Sequence, residues 1–221
     1  MTGTQAEPRH FGVLVPLKPT VSGKSRLGSL GEDVRQELYA AFAEDTVAAV
    51  QACARVAAVL VVTDDATVAQ RMRGLGVDAV PDGASTLNES LVQAAAELRR
   101  RAPSLRPVAM CGDLPALRPD ELTAALDEVP HDQAGFVSDA NGTGTTLYTA
   151  ERGELFRPRF GIGSRAAHLA DEAVELAVSR LPSVHLDVDT PEDLLAALRL
   201  GVGRSTSAVA TRLDLAALSR A

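Results

Sequence analysis

Short apolar runs alternate with longer stretches of helical period along this chain. Runs of strand length fall at Phe11 to Pro16, Val56 to Val62, Asp78 to Val80, Pro107 to Cys111, Ala134 to Val137, Thr145 to Tyr148, Ala173 to Ala177 and Val184 to Asp187. Between them, Gly31 to Ala54 carries Val34, Leu38, Ala41, Phe42 and Val50 at helical steps, and Leu87 to Arg101, Pro119 to Glu128 and Pro191 to Leu200 behave in the same way. Strand followed by helix through the first half implies parallel strands joined by helical crossovers. The clustered short runs after Ala134 predict an added antiparallel portion. The expected architecture is therefore α/β, with a mixed, mainly parallel sheet flanked by helices. Two helix starts are signed by their residues: Arg118-Pro119-Asp120-Glu121, and Thr190-Pro191-Glu192-Asp193, where Thr190 suits the N-cap and Pro191 the first helical position.

With 221 residues and 46% hydrophobic content, the chain can bury a full core as one domain. That domain is expected over 11–203, with a flexible N-terminus over 1–10 and a tail or short helix over 204–221. A net charge of −7 and a pI near 5.1 argue against general affinity for nucleic acid or anionic membrane, so the expected partners are small molecules. Cys53 and Cys111 are the only cysteines, one in a helical pattern and one ending an apolar run, which predicts a buried reduced pair. No apolar segment reaches the length of a membrane span, and Met1 to His10 lacks the basic-then-apolar order of a signal peptide, so a cytoplasmic protein is expected. Oligomeric state is left open.

The candidate chemistry lies in the loops. Gly112-Asp113-Leu114-Pro115 and Asp187-Val188-Asp189-Thr190-Pro191 each follow an apolar run, where chain leaving a buried strand opens at the sheet edge. Asp113 alone is either a metal ligand or a turn aspartate. Asp187 and Asp189 favour the metal reading, because alternate residues of an extended segment point to one side. Oxygen-only ligation suits Mg²⁺ or Mn²⁺ completed by substrate phosphates. Ser22-Gly23-Lys24-Ser25 resembles the end of a P-loop, but position 18 is Lys18 where that motif needs glycine. What remains is a loop after the first strand with three cations, Lys18, Lys24 and Arg26, suited to a triphosphate or else simply solvated. Gly142-Thr143-Gly144-Thr145 and Phe160-Gly161-Ile162-Gly163-Ser164 offer backbone N–H and hydroxyl donors for an anion, or are ordinary turns. Ser164 also suits the N-cap of a helix over Arg165 to Asp171. The four histidines show no metal spacing.

Taken in order, Lys18 with Lys24-Ser25-Arg26-Leu27, Leu87-Asn88, Gly112-Asp113-Leu114-Pro115-Ala116-Leu117, Gly142-Thr143-Gly144-Thr145, Arg159-Phe160-Gly161 with Ser164 and His168, and Asp187-Val188-Asp189-Thr190-Pro191 make the chain similar to the 2-phospho-L-lactate/phosphoenolpyruvate guanylyltransferases of coenzyme F-420 biosynthesis. The likeness runs from about Phe11 to Gly203. It implies a single-domain, Rossmann-like nucleotidyltransferase fold that moves GMP from GTP to a phospho-acid and releases pyrophosphate. It also implies that Asp113, Asp187 and Asp189 bind Mg²⁺, as two ions, with Mn²⁺ as a substitute. Thr145, Gly161 and Ser164 would hold the phospho-acid. Lys18, Lys24 and Arg26 would face the GTP triphosphate, with Gly112 beside it, Lys18 and Lys24 acting with Asp113 in catalysis, and Asn88 near the guanine. The alanine- and arginine-rich composition suggests a high-GC bacterial source, for which the resemblance implies phosphoenolpyruvate as the acceptor, with 2-phospho-L-lactate and 3-phosphoglycerate as alternatives. A transferase of the same fold for another cofactor, and a catalytically silent nucleotide-binding module, are the competing readings.

Overall fold

The computed structural model describes residues 11–17, 31–151 and 155–215. Seven strands form one sheet: β1 (Phe11–Pro16), β2 (Val56–Val62), β3 (Asp78–Val80), β4 (Arg106–Met110), β5 (Gly135–Ser138), β6 (Thr145–Thr149) and β7 (Val174–Glu175). The helices are α1 (Glu32–Ala52), α2 (Ala66–Gly74), α3 (Leu87–Arg101), α4 (Pro119–Asp127), α5 (Ser164–Ala170), α6 (Pro191–Leu200) and α7 (Arg204–Arg212). The spatial order is β3-β2-β1-β4-β6-β5-β7. β1 pairs in parallel with both β2 and β4, and β2 with β3; β6 runs antiparallel to β4 and β5, while β7 is parallel to β5. The expected mixed sheet, parallel first and antiparallel after Ala134, is the one present.

Strand alternation explains why helices cover both faces. Val13 and Val15 of β1 and Val108 and Met110 of β4 join one core with Ala43 and Val47 of α1 and Leu122 and Leu126 of α4. Leu14 and Ala109, one residue out of step, enter the opposite core with Leu91, Ala94 and Leu98 of α3. A third cluster joins α1, α6 and α7 through Leu38, Phe42, Leu194, Ala197 and Val209. Each fully buried Leu or Val side chain contributes roughly 1.5–3 kcal/mol of transfer free energy, so these faces dominate the stability.

Two elements differ from the sequence reading. The run Val184 to Asp187 is not a strand: Pro182–Val184 forms a 3-10 turn, and 186–189 is loop. The Glu121 carboxylate accepts from both the N–H and the hydroxyl of Ser183 at 2.8 Å, which fastens this turn to α4. Val184 is apolar because it is buried, not because it pairs. α2 is an additional helix, capped by Asp65, whose carboxylate accepts from Thr67 N and Val68 N. Its single buried residue, Met72, leaves almost no apolar period to read. Of the tail or short helix expected over 204–221, the described residues form a short helix, α7, packed against α1 through Val209 and Ala210. Asp45 of α1, nearly buried, accepts from Ser205 N at 2.9 Å and Thr206 N at 2.8 Å, satisfying two donors at the start of α7. Asp45→Ala is expected to lower stability by about 1–2 kcal/mol, as loss of a helix cap does, read from the urea midpoint. An unchanged midpoint would mean that α7 is held by its apolar face alone. The expected segment 1–10 and the tail beyond 215 lie outside the described residues.

Cys53 is buried and Cys111 half-buried, and both are free thiols. Cys53 lies 3.3 Å from the Thr123 hydroxyl, and Cys111 donates to the Thr145 carbonyl at 3.4 Å. No helix among the described residues is long and apolar enough to cross a membrane.

Candidate active site

From β1 the chain steps outward through β2 to β3, then returns along α3 to β4 on the other flank of β1. Loops leaving the carboxyl ends of β1 and β4 therefore diverge, and such a switch point is where open α/β sheets bind ligands. Leu17, which opens the first loop, donates its N–H to Val62 O at 2.9 Å. Gly112 is separated from the end of β4 by Cys111 alone, and a Cβ there would overlap the Leu17 side chain and come within 3.3 Å of Val15 Cγ1. Its missing side chain thus lets the two loops pack against each other at their roots, rather than only leaving room for a ligand. Lys18, Lys24 and Arg26 lie outside the described residues.

The loop carrying Asp113 is fixed on both sides. Leu114 N donates to the buried Thr46 hydroxyl at 3.0 Å, and Val188 N donates to the Asp113 carbonyl at 3.0 Å. The second bond sets the two acidic segments side by side. Val188 is fully buried, and Asp187 and Asp189 flank it. A capping box ends the segment: Asp193 N donates to Thr190 Oγ1 at 3.1 Å, and Thr190 N donates back to Asp193 Oδ2 at 2.8 Å. Thr190 is the N-cap and Pro191 the first helical residue, as their sequence predicts. The carboxylates do not form a ready cage: among the described residues, no group of three or more His, Cys, Asp or Glu is arranged to hold a metal ion. The loops are joined by the backbone and their donors are oxygen only, which fits Mg²⁺ held by a few carboxylates and completed by phosphates rather than an all-protein site.

Because β6 runs antiparallel to β4, its first residue lies at the rim where β4 ends. Cys111 N donates to Thr146 O at 2.8 Å, which places Thr145 beside the root of the Gly112-Asp113 loop. The Thr145 hydroxyl, nearly buried, lies 3.0 Å from Nδ1 of His168 on α5. His168 is wholly buried, stacked against Tyr148 and Phe136 with ring centroids 4.7 and 5.2 Å away. Arg159 N donates to its Nε2 at 3.0 Å. Burial lowers the His168 pKa to about 4, against the raising influence of the Ser164 backbone. The folded value lies below the ordinary 6.5, so the unfolded chain binds more protons between the two and stability falls as pH drops from about 6.5 through about 4. That fall is expected to be smaller in His168→Gln, followed by melting temperature against pH; an equal fall in both proteins would assign it to other groups.

Ser164 is the first residue of α5 rather than its cap: Gly163, at φ 71°, takes the cap position, a left-handed conformation that glycine adopts without strain. Ser164 N donates to Gly161 O at 3.1 Å and Arg165 N to Thr143 O at 3.2 Å, so the two glycine loops touch through the start of α5. Thr143 N donates to Asp139 Oδ1 at 2.9 Å. The Ser164 and Thr143 N–H groups, which lie in the loops expected to offer anion donors, are thus engaged internally, as is that of Arg165.

Asn88 is the clearest departure from the sequence reading. Its Nδ2 donates to Phe160 O at 3.0 Å and its Oδ1 accepts from Phe160 N at 2.9 Å. Both ends of the amide face the Phe160 backbone, and the side chain anchors the Gly161 loop from α3 rather than presenting itself to a base. Asn88, Phe160, Arg159, His168, Thr145, Cys111, Gly112, Asp113 and Val188 thus form one run of chain neighbours and hydrogen bonds along the rim. In the sequence, His168 was one of the residues that carry the resemblance, with no role assigned to it. On the other side, a cavity of about 890 Å³ opens beside Gly112 and Asp113, walled among the described residues by Pro16, Leu17, Arg35, Gln36 and Tyr39 of α1, and Asp65, Thr67 and Arg71 near α2. The α2 side of this wall had no sequence signal, since a helix burying only Met72 has almost no apolar period. Its volume is on the scale of a nucleotide-sized ligand.

The fold is the one shared by solved structures described as nucleotidyl transferases and nucleotide-diphospho-sugar transferases. A solved structure described as a nucleotide-diphospho-sugar transferase, from Desulfovibrio desulfuricans G20, superposes with a TM-score of 0.70 at 21% identity, covering 93% of this chain and 96% of that one. The model of the guanylyl transferase CofC like family matches residues 11–217, so the chain belongs to that family. Among its relatives, a protein from Thermomonospora curvata named phosphoenolpyruvate guanylyltransferase is 47% identical over 92% of this chain and 90% of its own. One of the same name from Streptomyces coelicolor is 46% identical over 94% and 99%.

Proposed function

We propose that this chain transfers GMP from GTP to phosphoenolpyruvate, giving enolpyruvyl-diphospho-5'-guanosine and pyrophosphate, as a step of coenzyme F-420 biosynthesis. The observation that carries this reading is the near-half identity, over nine-tenths of the chain, to relatives named for that activity. The joined acidic loops at the switch point support it, because they lie where a nucleotide reaches the fold.

In the reaction, an oxygen of the acceptor phosphate attacks the α-phosphorus of GTP in line; the new P–O bond forms as the bond to the bridging α–β oxygen breaks, and pyrophosphate leaves. No general base is needed. A phosphate monoester with a second pKa near 6 is mostly dianionic at neutral pH, so the protein's task is to bring two anions together and hold them in line. Asp113, Asp187 and Asp189 would hold Mg²⁺, as two ions in the fullest form of the proposal. Bound there, Mg²⁺ neutralises phosphate charge and aligns the reacting oxygens. Thr145, Gly161 and Ser164 hold the phospho-acid against the antiparallel side of the rim, Gly112 lies beside the triphosphate, and Lys18, Lys24 and Arg26 supply the cations that offset its charge. Asn88 acts through the Gly161 loop. Asn88→Ala is therefore expected to raise KM for the acceptor severalfold, with little change in KM for GTP. A rise confined to GTP would return Asn88 to the nucleotide.

Donor identity is tested by offering GTP, CTP and ATP separately with phosphoenolpyruvate and weighing the products. A guanylylated product from GTP alone is expected. A cytidylylated or adenylylated product as the main species would overturn the assignment.

A further inference from the structure

A buried histidine beside a substrate hydroxyl can accept its proton or donate to it, and here the backbone decides which. Arg159 N–H points at Nε2 of His168, 3.0 Å away, so Nε2 carries the lone pair. The neutral ring then bears its proton on Nδ1, 3.0 Å from Thr145 Oγ1. A protonated ring nitrogen has no lone pair to offer, so the Thr145 hydroxyl can only accept from it, and the threonine proton must point elsewhere. The ring is held against exchanging its nitrogens: it is fully buried, stacked against Tyr148 and Phe136, with Phe160 edge-on at 5.9 Å. Protonation would add a donor at Nε2, directly against the Arg159 N–H, and burial holds the ring neutral across the working pH range.

We infer that His168 is a positioning residue that fixes the Thr145 hydroxyl as a hydrogen-bond donor toward the anionic acceptor. This rests on the reading that Thr145 binds the phospho-acid. The Asn88 anchor extends the device: it fixes Phe160, Phe160 adjoins Arg159, and the Arg159 N–H sets the tautomer. One chain of bonds thus runs from α3 to the hydroxyl proton. A donor fixed in this way reaches an anion without first breaking a competing bond, and hydrogen bonds to charged groups are the stronger kind.

The test is a double-mutant cycle on the full chain, with acceptor KM, GTP KM and kcat read separately. His168→Gln keeps an acceptor near Nε2 but removes the donor near Nδ1, and should raise acceptor KM by about tenfold, the order expected for loss of orientation in one bond to an anion, with GTP KM little changed. Thr145→Val should raise it at least as much, and in that background His168→Gln should add nothing further. Additive effects would overturn the positioning role while leaving Thr145 as an acceptor ligand. An unchanged acceptor KM in Thr145→Val would overturn the acceptor-site reading itself and the inference with it. If His168→Gln fails to fold, the ¹⁵N shifts of His168 in the unaltered protein decide: a neutral ring protonated at Nδ1 between pH 5.5 and 8.5 is expected, and a proton on Nε2 would overturn the inference.

Discussion

Asp113→Asn is expected to lower turnover by about a hundredfold or more, the magnitude seen when one preorganised charge-stabilising group is removed. The substitution keeps the shape of the side chain and removes only its charge. Asp113 follows the strand end that faces the sheet crevice, and its backbone carbonyl is fixed to Val188 whatever the side chain carries, so the fold should survive. Loss of a carboxylate would weaken the hold on Mg²⁺ and leave the phosphates of donor and acceptor less neutralised. Most of the loss is expected in kcat, at unchanged melting temperature. Near-normal turnover in a folded Asp113→Asn protein would remove Asp113 from the chemistry and with it the three-carboxylate proposal.

Arg106→Ala is expected to lower stability by about 3 kcal/mol, several times an ordinary surface substitution. The guanidinium gathers three carbonyls from separate segments: Ala150 at 2.5 Å just beyond β6, Pro130 at 2.6 Å after α4, and Gln133 at 2.7 Å before β5. It therefore ties the start of β4 to the antiparallel half of the sheet, the half that carries Thr145 and α5. Five donors in a rigid fork make this arrangement specific to arginine, so Arg106→Lys should recover only part of the loss. Urea unfolding with an unchanged slope would measure it. A loss below about 0.5 kcal/mol, the scale of an ordinary surface substitution, would show that water replaces the guanidinium at all three carbonyls.

What the sequence discloses divides along physical lines. β1, β2, β4, α1, α3, α4 and α6 were legible because each presents an apolar face to one of the three core clusters, and α6 carries its own cap in Thr190 and Pro191. α2 was not legible, since a helix burying only Met72 has almost no periodicity to detect. The run ending at Asp187 was misread because burial of Val184 looks the same in sequence whether the backbone pairs with a strand or, as here, turns in a 3-10 helix held by Glu121. α7 is fixed by Asp45, far away in the chain, a relation no local pattern contains.

The candidate site follows the same division. Asp113, Thr145 and Asp187 to Asp189 stood out because acidic and small-residue loops after apolar runs announce a sheet edge. The structure brings the two acidic segments together through one backbone bond. The positions of Asn88 and His168 depend on partners at Phe160, Arg159 and Thr145 that only the folded chain brings near. Asn88 in particular has the chemistry of a base reader, and its amide is turned to the backbone of a neighbouring loop instead.

The proposed function requires that this rim join GTP to one phospho-acid. The most direct measurement is pyrophosphate release from GTP and Mg²⁺ with phosphoenolpyruvate, 2-phospho-L-lactate or 3-phosphoglycerate supplied separately. Release with phosphoenolpyruvate well above the other two is the result predicted. Release with another acceptor alone would move the substrate assignment within the family, and no release with any of the three from folded protein would contradict the proposed reaction.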